Sequence, residues 1–172
     1  MINKLNRRST AWMITALAIL LFVWAGSGRS LMAARNDVEG RMYEDLDQLA
    51  ANSINLTVVA ERYMSAEDAA VVTLKQQAEK LRDSDSMRAK SLTTAELQNS
   101  VDALVKKLEQ QQLSDADVQL CNKLTVNIDA AYKIIDSSGY NQRAEEFNAQ
   151  LDKMPTKLLA DISGVKKLEQ YS

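Results

Sequence analysis

Histidine is absent from this 172-residue chain, and cysteine and proline each occur only once. The missing histidine excludes Ser-His and Cys-His nucleophile pairs, zinc sites that use histidine, and the Glu-x-x-His motif of di-iron bundles. The single cysteine, Cys121, cannot form a disulfide within the chain. We therefore expect a protein that is not an enzyme, has no catalytic residues and needs no cofactor.

Residues that break helices are also scarce. After residue 28 the chain has one proline, Pro155, and the glycines Gly40, Gly139 and Gly164. Alanine, leucine, glutamine, lysine and glutamate, which favour helices, are frequent in the same stretch. This composition predicts an all-α body, with Gly139 ending one of its helices.

Apolar residues recur every three or four positions along the body, as they do on one face of a helix. The first such face begins at Leu31 and includes Leu46, Leu49 and Leu56. These three leucines would either lie in the core of the protein, which we favour, or extend into a coiled-coil seam with a partner. The whole pattern predicts one helical domain over residues 29–172, an elongated antiparallel bundle of about four long helices.

Short motifs indicate where the later helices begin. Thr93 and Ser114 each open a sequence that resembles a capping box, so a helix is expected to start at each. Proline is tolerated in the first turn of a helix, so a last helix is expected to begin at Pro155. Leu158, Ile162, Val165 and Leu168 would lie on its apolar face.

An apolar run near the start of the chain, residues 11–25, is interrupted only by Thr15. With its small flanking residues it makes a helix of about 20 residues, long enough to cross the hydrocarbon core of a membrane. Both tryptophans lie near its ends, where their rings favour the membrane–water interface. We therefore predict that residues 1–28 form a short basic N-terminus and a transmembrane anchor. The anchor residues are Ala11, Trp12, Ile14, Leu17, Leu20, Leu21, Phe22 and Trp24.

A cleaved signal peptide is the alternative to a retained anchor. Lys4, Arg7 and Arg8 would form its basic region, and Ala25-Gly26-Ser27 its cleavage site. Three basic residues precede the run and three follow it, so their number does not fix the orientation. The tight cluster before the run favours a cytoplasmic N-terminus. We expect a single-pass protein of the cell inner (cytoplasmic) membrane with an extracytoplasmic body.

The body is acidic, because it holds all 23 acidic residues of the chain and all but three of its 21 basic ones. Such a body binds nucleic acid and anionic lipid poorly, so we expect no nucleic-acid partner. The acidic group at Glu44, Asp45 and Asp47 points to different faces of a helix, which argues against a metal site. Glu145 and Glu146 diverge in the same way, which argues against paired catalytic carboxylates.

Three blocks of the body share their order and spacing with a known family. They are residues 30–39, residues 54–63, and a closing block that contains Tyr140-Asn141, Phe147-Asn148 and Met154-Pro155. The chain resembles the LemA family of bacterial membrane-anchored helical proteins. It lacks the family's basic cluster at residues 48–51, and so it resembles a divergent member.

The resemblance implies one N-terminal span and a bundle of long antiparallel helices, with no agreed enzymatic activity. It also implies a set of structural or contact positions in this chain. They are Asn36, Tyr63, Tyr140, Asn141, Phe147, Asn148 and Pro155.

Two functions are consistent with these patterns. The first is a membrane-anchored helical interaction or scaffold module of the cell envelope, which presents a surface to a partner protein or to a second copy of itself. The second is an extracytoplasmic ligand-binding bundle of the sensor type, which holds a ligand between its helices and acts through a partner. The first is our main hypothesis, because amphipathic helices are plentiful and catalytic chemistry is missing.

Overall fold

Helices account for almost the whole described chain. The computed structural model describes the backbone of residues 2–171 and the side chains of residues 26–171. This part of the chain forms no strand, so the prediction of an all-α protein is confirmed. The sequence predicts about four long helices, and the structure has two further short helices at the C-terminal end. The six helices are α1 (Ile2–Ala60), α2 (Ala69–Asp83), α3 (Met87–Leu108), α4 (Asp115–Ser137), α5 (Tyr140–Leu151) and α6 (Thr156–Ser163).

The transmembrane part of the predicted fold requires correction. Among the residues whose side chains are described, no helix is both long enough and apolar enough to cross a membrane. In this part of α1, charged residues such as Arg35, Asp37 and Glu39 recur at short intervals, and a bilayer interior disfavours them. The predictions of a fold with an N-terminal transmembrane helix and of a single-pass inner-membrane location are therefore wrong on this finding. The predicted anchor residues, from Ala11 to Trp24, lie outside the residues with described side chains.

The chain divides into two compact units. The first unit consists of Met1–Asp37 and Glu145–Leu168, and the second of Val38–Ala144 and Glu169–Ser172. The sequence predicts a single domain that begins after Gly28, a residue that lies within α1.

The second unit is a helical bundle built from residues 38–60 of α1 together with α2, α3 and α4. Leu46, Leu49 and Leu56 have no exposed surface, so the leucine face of α1 lies in the core. Each of the other helices also turns one apolar stripe inward, with a spacing of three or four residues. The buried apolar residues of these three helices are Val71, Leu74, Ala78, Leu81, Met87, Leu97, Val101, Leu104, Leu108, Leu124, Ile128, Ala131 and Ile135.

Helices α2 and α3 form an antiparallel pair. The carboxylate of Asp68 accepts a hydrogen bond from the N–H of Ala70 and so caps the start of α2. It also accepts two hydrogen bonds from Lys107 Nζ, at 2.6 and 2.9 Å, from the last turn of α3. These contacts hold the pKa of Asp68 below its usual range, the Lys107 hydrogen bonds being the largest cause.

The predicted helix starts have different outcomes. Ser114 caps α4 by accepting a hydrogen bond from the N–H of Asp117, which confirms the prediction. The predicted start at Thr93 is wrong, because α3 begins earlier, with Ser86 as its cap. The hydroxyl of Thr93 instead donates to the carbonyl of Ala89 within the helix, a contact that competes with capping.

Gly139 lies directly after the end of α4 and has a φ of 62°, a left-handed conformation that favours glycine. Its predicted role in ending a helix is confirmed.

In the first unit, the buried side chains come from both short helices and from the segment that follows them. Phe147 and Leu151 of α5, Ala160 of α6, and Val165 and Leu168 beyond α6 are buried.

Of the four residues predicted for the apolar face of the last helix, Val165 and Leu168 are buried, but they lie beyond the end of α6. The prediction is wrong for Leu158 and Ile162. Leu158 and Ile162 are 53% and 54% exposed. With only eight residues, α6 buries Ala160, which lies between these two positions.

Candidate functional site

A concave surface of the second unit lies between α3 and α4. It consists of two cavities of about 440 and 380 Å³ that share Ser91, Asp136 and Tyr171 in their walls. The larger cavity also includes Thr94 and Tyr132, whereas the smaller one reaches the first turn of α5. We call the two cavities together the trough.

Two tyrosines, Tyr132 and Tyr171, line the larger cavity, and Tyr140 lines the smaller one together with Tyr171. The hydroxyl of Tyr132 donates to the backbone carbonyl of Thr94 at 3.2 Å. Burial raises the pKa of Tyr132, and it also raises the pKa of Tyr171. Both phenols are therefore protonated at neutral pH, where they can donate hydrogen bonds but cannot act as bases.

Three charged side chains of α4 line the larger cavity. Asp129, Lys133 and Asp136 are four and three residues apart, so they share one face of the helix. Within the described part of the chain none of the three side chains forms an ion pair or a hydrogen bond, and all three are exposed. The trough thus offers unpaired charges of both signs beside two phenols.

Tyr171 reaches the trough as part of residues 169–171, which we call the strap. The strap has neither helix nor strand structure. The Asn141 side chain donates to the carbonyl of Tyr171 at 2.6 Å and accepts from its N–H at 2.7 Å. The hydroxyl of Tyr140 donates to the carbonyl of Glu169 at 2.9 Å. Two positions that the family resemblance picks out, Tyr140 and Asn141, therefore hold the strap.

The carboxylate of Glu169 fastens the other end of the strap. It accepts hydrogen bonds from Ser86 Oγ at 2.8 Å and from the N–H of Arg88 at 3.4 Å, at the start of α3. Exposed donors at a helix N-terminus favour a negative charge. The Ser86 hydroxyl and these amides hold the pKa of Glu169 below its usual range.

Tyr63, another position from the resemblance, belongs to a polar cluster far from the strap in sequence. Its hydroxyl donates to Asp117 at 2.5 Å, and Arg62 donates to the other oxygen of the same carboxylate at 2.7 Å. The Tyr63 hydrogen bond is the largest cause of the lowered pKa of Asp117. The cluster ties the segment after α1 to the start of α4, which is a structural role.

The remaining positions from the resemblance lie elsewhere. In the first unit, the Asn148 side chain pairs with both backbone groups of Leu168, at 2.9 and 2.8 Å. Phe147, the residue before Asn148, is buried, whereas Asn36 and Pro155 are exposed.

Cys121 lines a separate cavity of about 430 Å³ near the end of α3. Burial is the main cause of its raised pKa, and the neighbouring Asp117 adds to the effect. A thiol with a raised pKa is a weak nucleophile at neutral pH, since the thiolate is the reactive form.

No candidate metal centre occurs in the described chain, where no three cysteine or carboxylate side chains gather closely enough to hold an ion. The pKa of Asp45 is raised, first by burial and then by the charge of Glu44.

Comparison with protein-family models, with curated proteins and with solved structures gives no match to this chain. The resemblance to the LemA family therefore stays a prediction.

Several residues of the trough could not be predicted from the sequence. Tyr132, Asp136 and Tyr171 fit ordinary helical or polar patterns, and nothing in the sequence brings residue 171 to α3 and α4. A weak signal was available in Asn141, whose amide is a poor helix former but a good partner for backbone groups.

Proposed function

We propose that this chain is a helical interaction module that binds a partner protein and performs no catalysis. The observation that carries the proposal is the trough, where phenols, hydroxyls and unpaired charges of both signs converge between α3 and α4. Such a surface supplies polar contacts around aromatic anchors, which is the composition that protein interfaces favour.

The chemistry of the trough supports binding rather than catalysis. Tyr132 and Tyr171, the tyrosines of the larger cavity, have raised pKa values, so neither is an activated base. Its carboxylates, Asp129 and Asp136, are exposed to solvent. The acidic balance of the chain also favours a protein partner over nucleic acid.

Site-specific photocrosslinking tests the proposal. A photoreactive amino acid at Gln98, which lines the trough, should give one adduct of defined mass in cells that make the protein. The matched control is the same group at Gln76, an exposed position of α2. Adducts that are the same from both positions would contradict the proposal. An adduct of twice the chain mass would identify the partner as a second copy.

A small-molecule binding bundle is the second candidate, and cavity size is the observation that favours it. The larger cavity of the trough, about 440 Å³, and the Cys121 cavity, about 430 Å³, fall within the range of roughly 300–1,000 Å³ that is usual for ligand sites. A rise in melting temperature of the purified chain with one compound from a metabolite panel would support this function.

A further inference from the structure

The strap lies on the second unit as a bound peptide would lie. It has no regular secondary structure, and it is held at two separate places: by Tyr140 and Asn141 in the first turn of α5, and at the start of α3. Its Tyr171 side chain lines both cavities of the trough. The cavities remain open beside it, so the strap does not fill the surface to which it binds.

Asn141 binds the backbone of Tyr171 in the strap and not the Tyr171 side chain. One amide group satisfies both the N–H and the C=O of Tyr171, at 2.7 and 2.6 Å. Any segment of suitable backbone conformation could make the same pair of hydrogen bonds, because every residue except proline carries both groups. This is the way in which many peptide-binding surfaces obtain affinity without strict sequence requirements.

The side chains of Glu169 and Tyr171 make the contacts that depend on the sequence of the bound segment. The Glu169 carboxylate accepts hydrogen bonds at the start of α3, from Ser86 Oγ and the N–H of Arg88. Two residues later, Tyr171 presents its ring to a wall that contains Tyr132. The pattern that fits this surface is a carboxylate followed, two positions on, by an aromatic residue.

Release of the strap would leave every helix of the second unit intact. Residues 169–171 are outside all six helices, and most of their hydrogen bonds are at exposed positions, where water can replace the partners. Opening therefore costs only the free energy of the strap's own contacts. A competing segment that makes the same contacts can offset this free energy.

We propose that the strap is a displaceable internal ligand, and that the trough beneath it binds a segment of the partner protein with a carboxylate two residues before an aromatic side chain. The inference rests on the proposed function and adds the chemistry of the partner segment. While the strap is in place, it competes for the same contacts and lowers the apparent affinity for the partner.

A peptide in trans tests the inference with the full chain. The probe is a fluorescent peptide of residues 167–172, KLEQYS. It is titrated against the wild-type chain and against a variant with Glu169→Ala and Tyr171→Ala, which weakens the strap and leaves the trough walls that α3, α4 and α5 supply unchanged. The peptide should bind the variant at least about tenfold more tightly than the wild type, because the competing segment is removed.

Two matched controls define the outcome. Gln170→Ala changes an exposed strap residue, so this chain should bind the peptide as weakly as the wild type does. A peptide with glutamine and alanine in place of its glutamate and tyrosine should not bind the Glu169→Ala/Tyr171→Ala chain. Equal binding to the wild-type and strap variants, or equal binding of both peptides, would overturn the inference.

Hydrogen exchange of the wild-type chain gives a second test that does not depend on the variant folding. The N–H of Tyr171 should exchange through local opening, much faster than that of Leu97 in the core of α3. Exchange of both amides at one rate would mean that the strap opens only on global unfolding, and the inference would fall. If the Gln98 crosslink forms but the peptide does not bind the strap variant, the interaction function stands and the strap inference alone fails.

Discussion

The buried ammonium of Lys90 allows a quantitative test of how the antiparallel α2–α3 pair is held together. Lys90 is 1% exposed. Its Nζ donates to the carbonyls of Leu81 and Arg82 at 2.5 and 3.1 Å, and it lies 5.1 Å from the centre of the Tyr43 ring. The last four carbonyls of a helix have no partner within the helix. Lys90 of α3 therefore caps the C-terminus of α2, where the helix dipole also favours a cation.

The substitution Lys90→Met keeps most of the length of the side chain and removes its donors. Each carbonyl that loses its donor should reduce the free energy of unfolding by about 1 kcal/mol, and the lost ring contact by about 0.5–1 kcal/mol. Relief of the buried charge opposes this loss, since burial is the main cause of the lowered pKa of Lys90. We expect a net loss of about 2 kcal/mol, or a melting temperature lower by roughly 4–8 °C for a chain of this size.

Thermal and urea unfolding followed by circular dichroism would measure the effect of Lys90→Met. The matched control is Lys106→Met, an exposed lysine on the same helix, which should leave the melting temperature nearly unchanged. If Lys90→Met were as stable as the wild type, the caps on Leu81 and Arg82 would contribute no more than the desolvation of the ammonium removes. The assignment of Lys90 as the element that closes the pair would then be refuted.

Three further predictions concern single sites. A Cβ at Gly28 would lie 2.5 Å from Ser163 Oγ, so Gly28→Ala should lower the melting temperature through overpacking of about 1–3 kcal/mol. Gly26→Ala, where nothing lies within 4 Å, should raise it by removing a helix glycine, and the opposite order would contradict the packing. Cys121 should react with a maleimide at pH 7 more slowly in the folded chain than in urea, because burial raises its pKa in the folded chain, and equal rates would contradict this. Asp117 has a folded pKa below its unfolded value, so its contribution is complete above about pH 4 and is lost as pH falls through the folded pKa. Melting at pH 7 and pH 3 should show this loss, and Asp117→Asn should reduce the difference between the two.

The helical core could be predicted from sequence because its information is local. The spacing of Leu46, Leu49 and Leu56 defines one face of a helix, and all three have no exposed surface. The Ser114 cap was predictable for the same reason, since the cap and its partner Asp117 lie within one turn. Local patterns of this kind persist in the fold because tertiary packing uses the same apolar face that the sequence displays.

Predictions failed where several local solutions compete. Thr93 opens a sequence that is typical of a helix start, but α3 begins earlier, at Met87. The hydroxyl of Thr93 therefore donates a hydrogen bond to the carbonyl of Ala89 in the preceding turn. Leu158 and Ile162 have helical spacing, but α6 is short and buries Ala160, which lies between them. Apolar spacing identifies a face, and the direction of the core then depends on the rest of the chain.

The strap illustrates a stronger limit. Glu169 and Ser86 are 83 residues apart, and Asn141 and Tyr171 are 30 apart, so no pattern within one element relates them. Asparagine inside a helix nevertheless carries a usable signal, because its amide weakens the helix unless it finds partners outside it. Asn141 in the second unit and Asn148 in the first each satisfy both backbone groups of one later residue. Two asparagines seven residues apart share one face of a helix. In the sequence, this spacing indicates that α5 presents side-chain amides that can bind backbone groups.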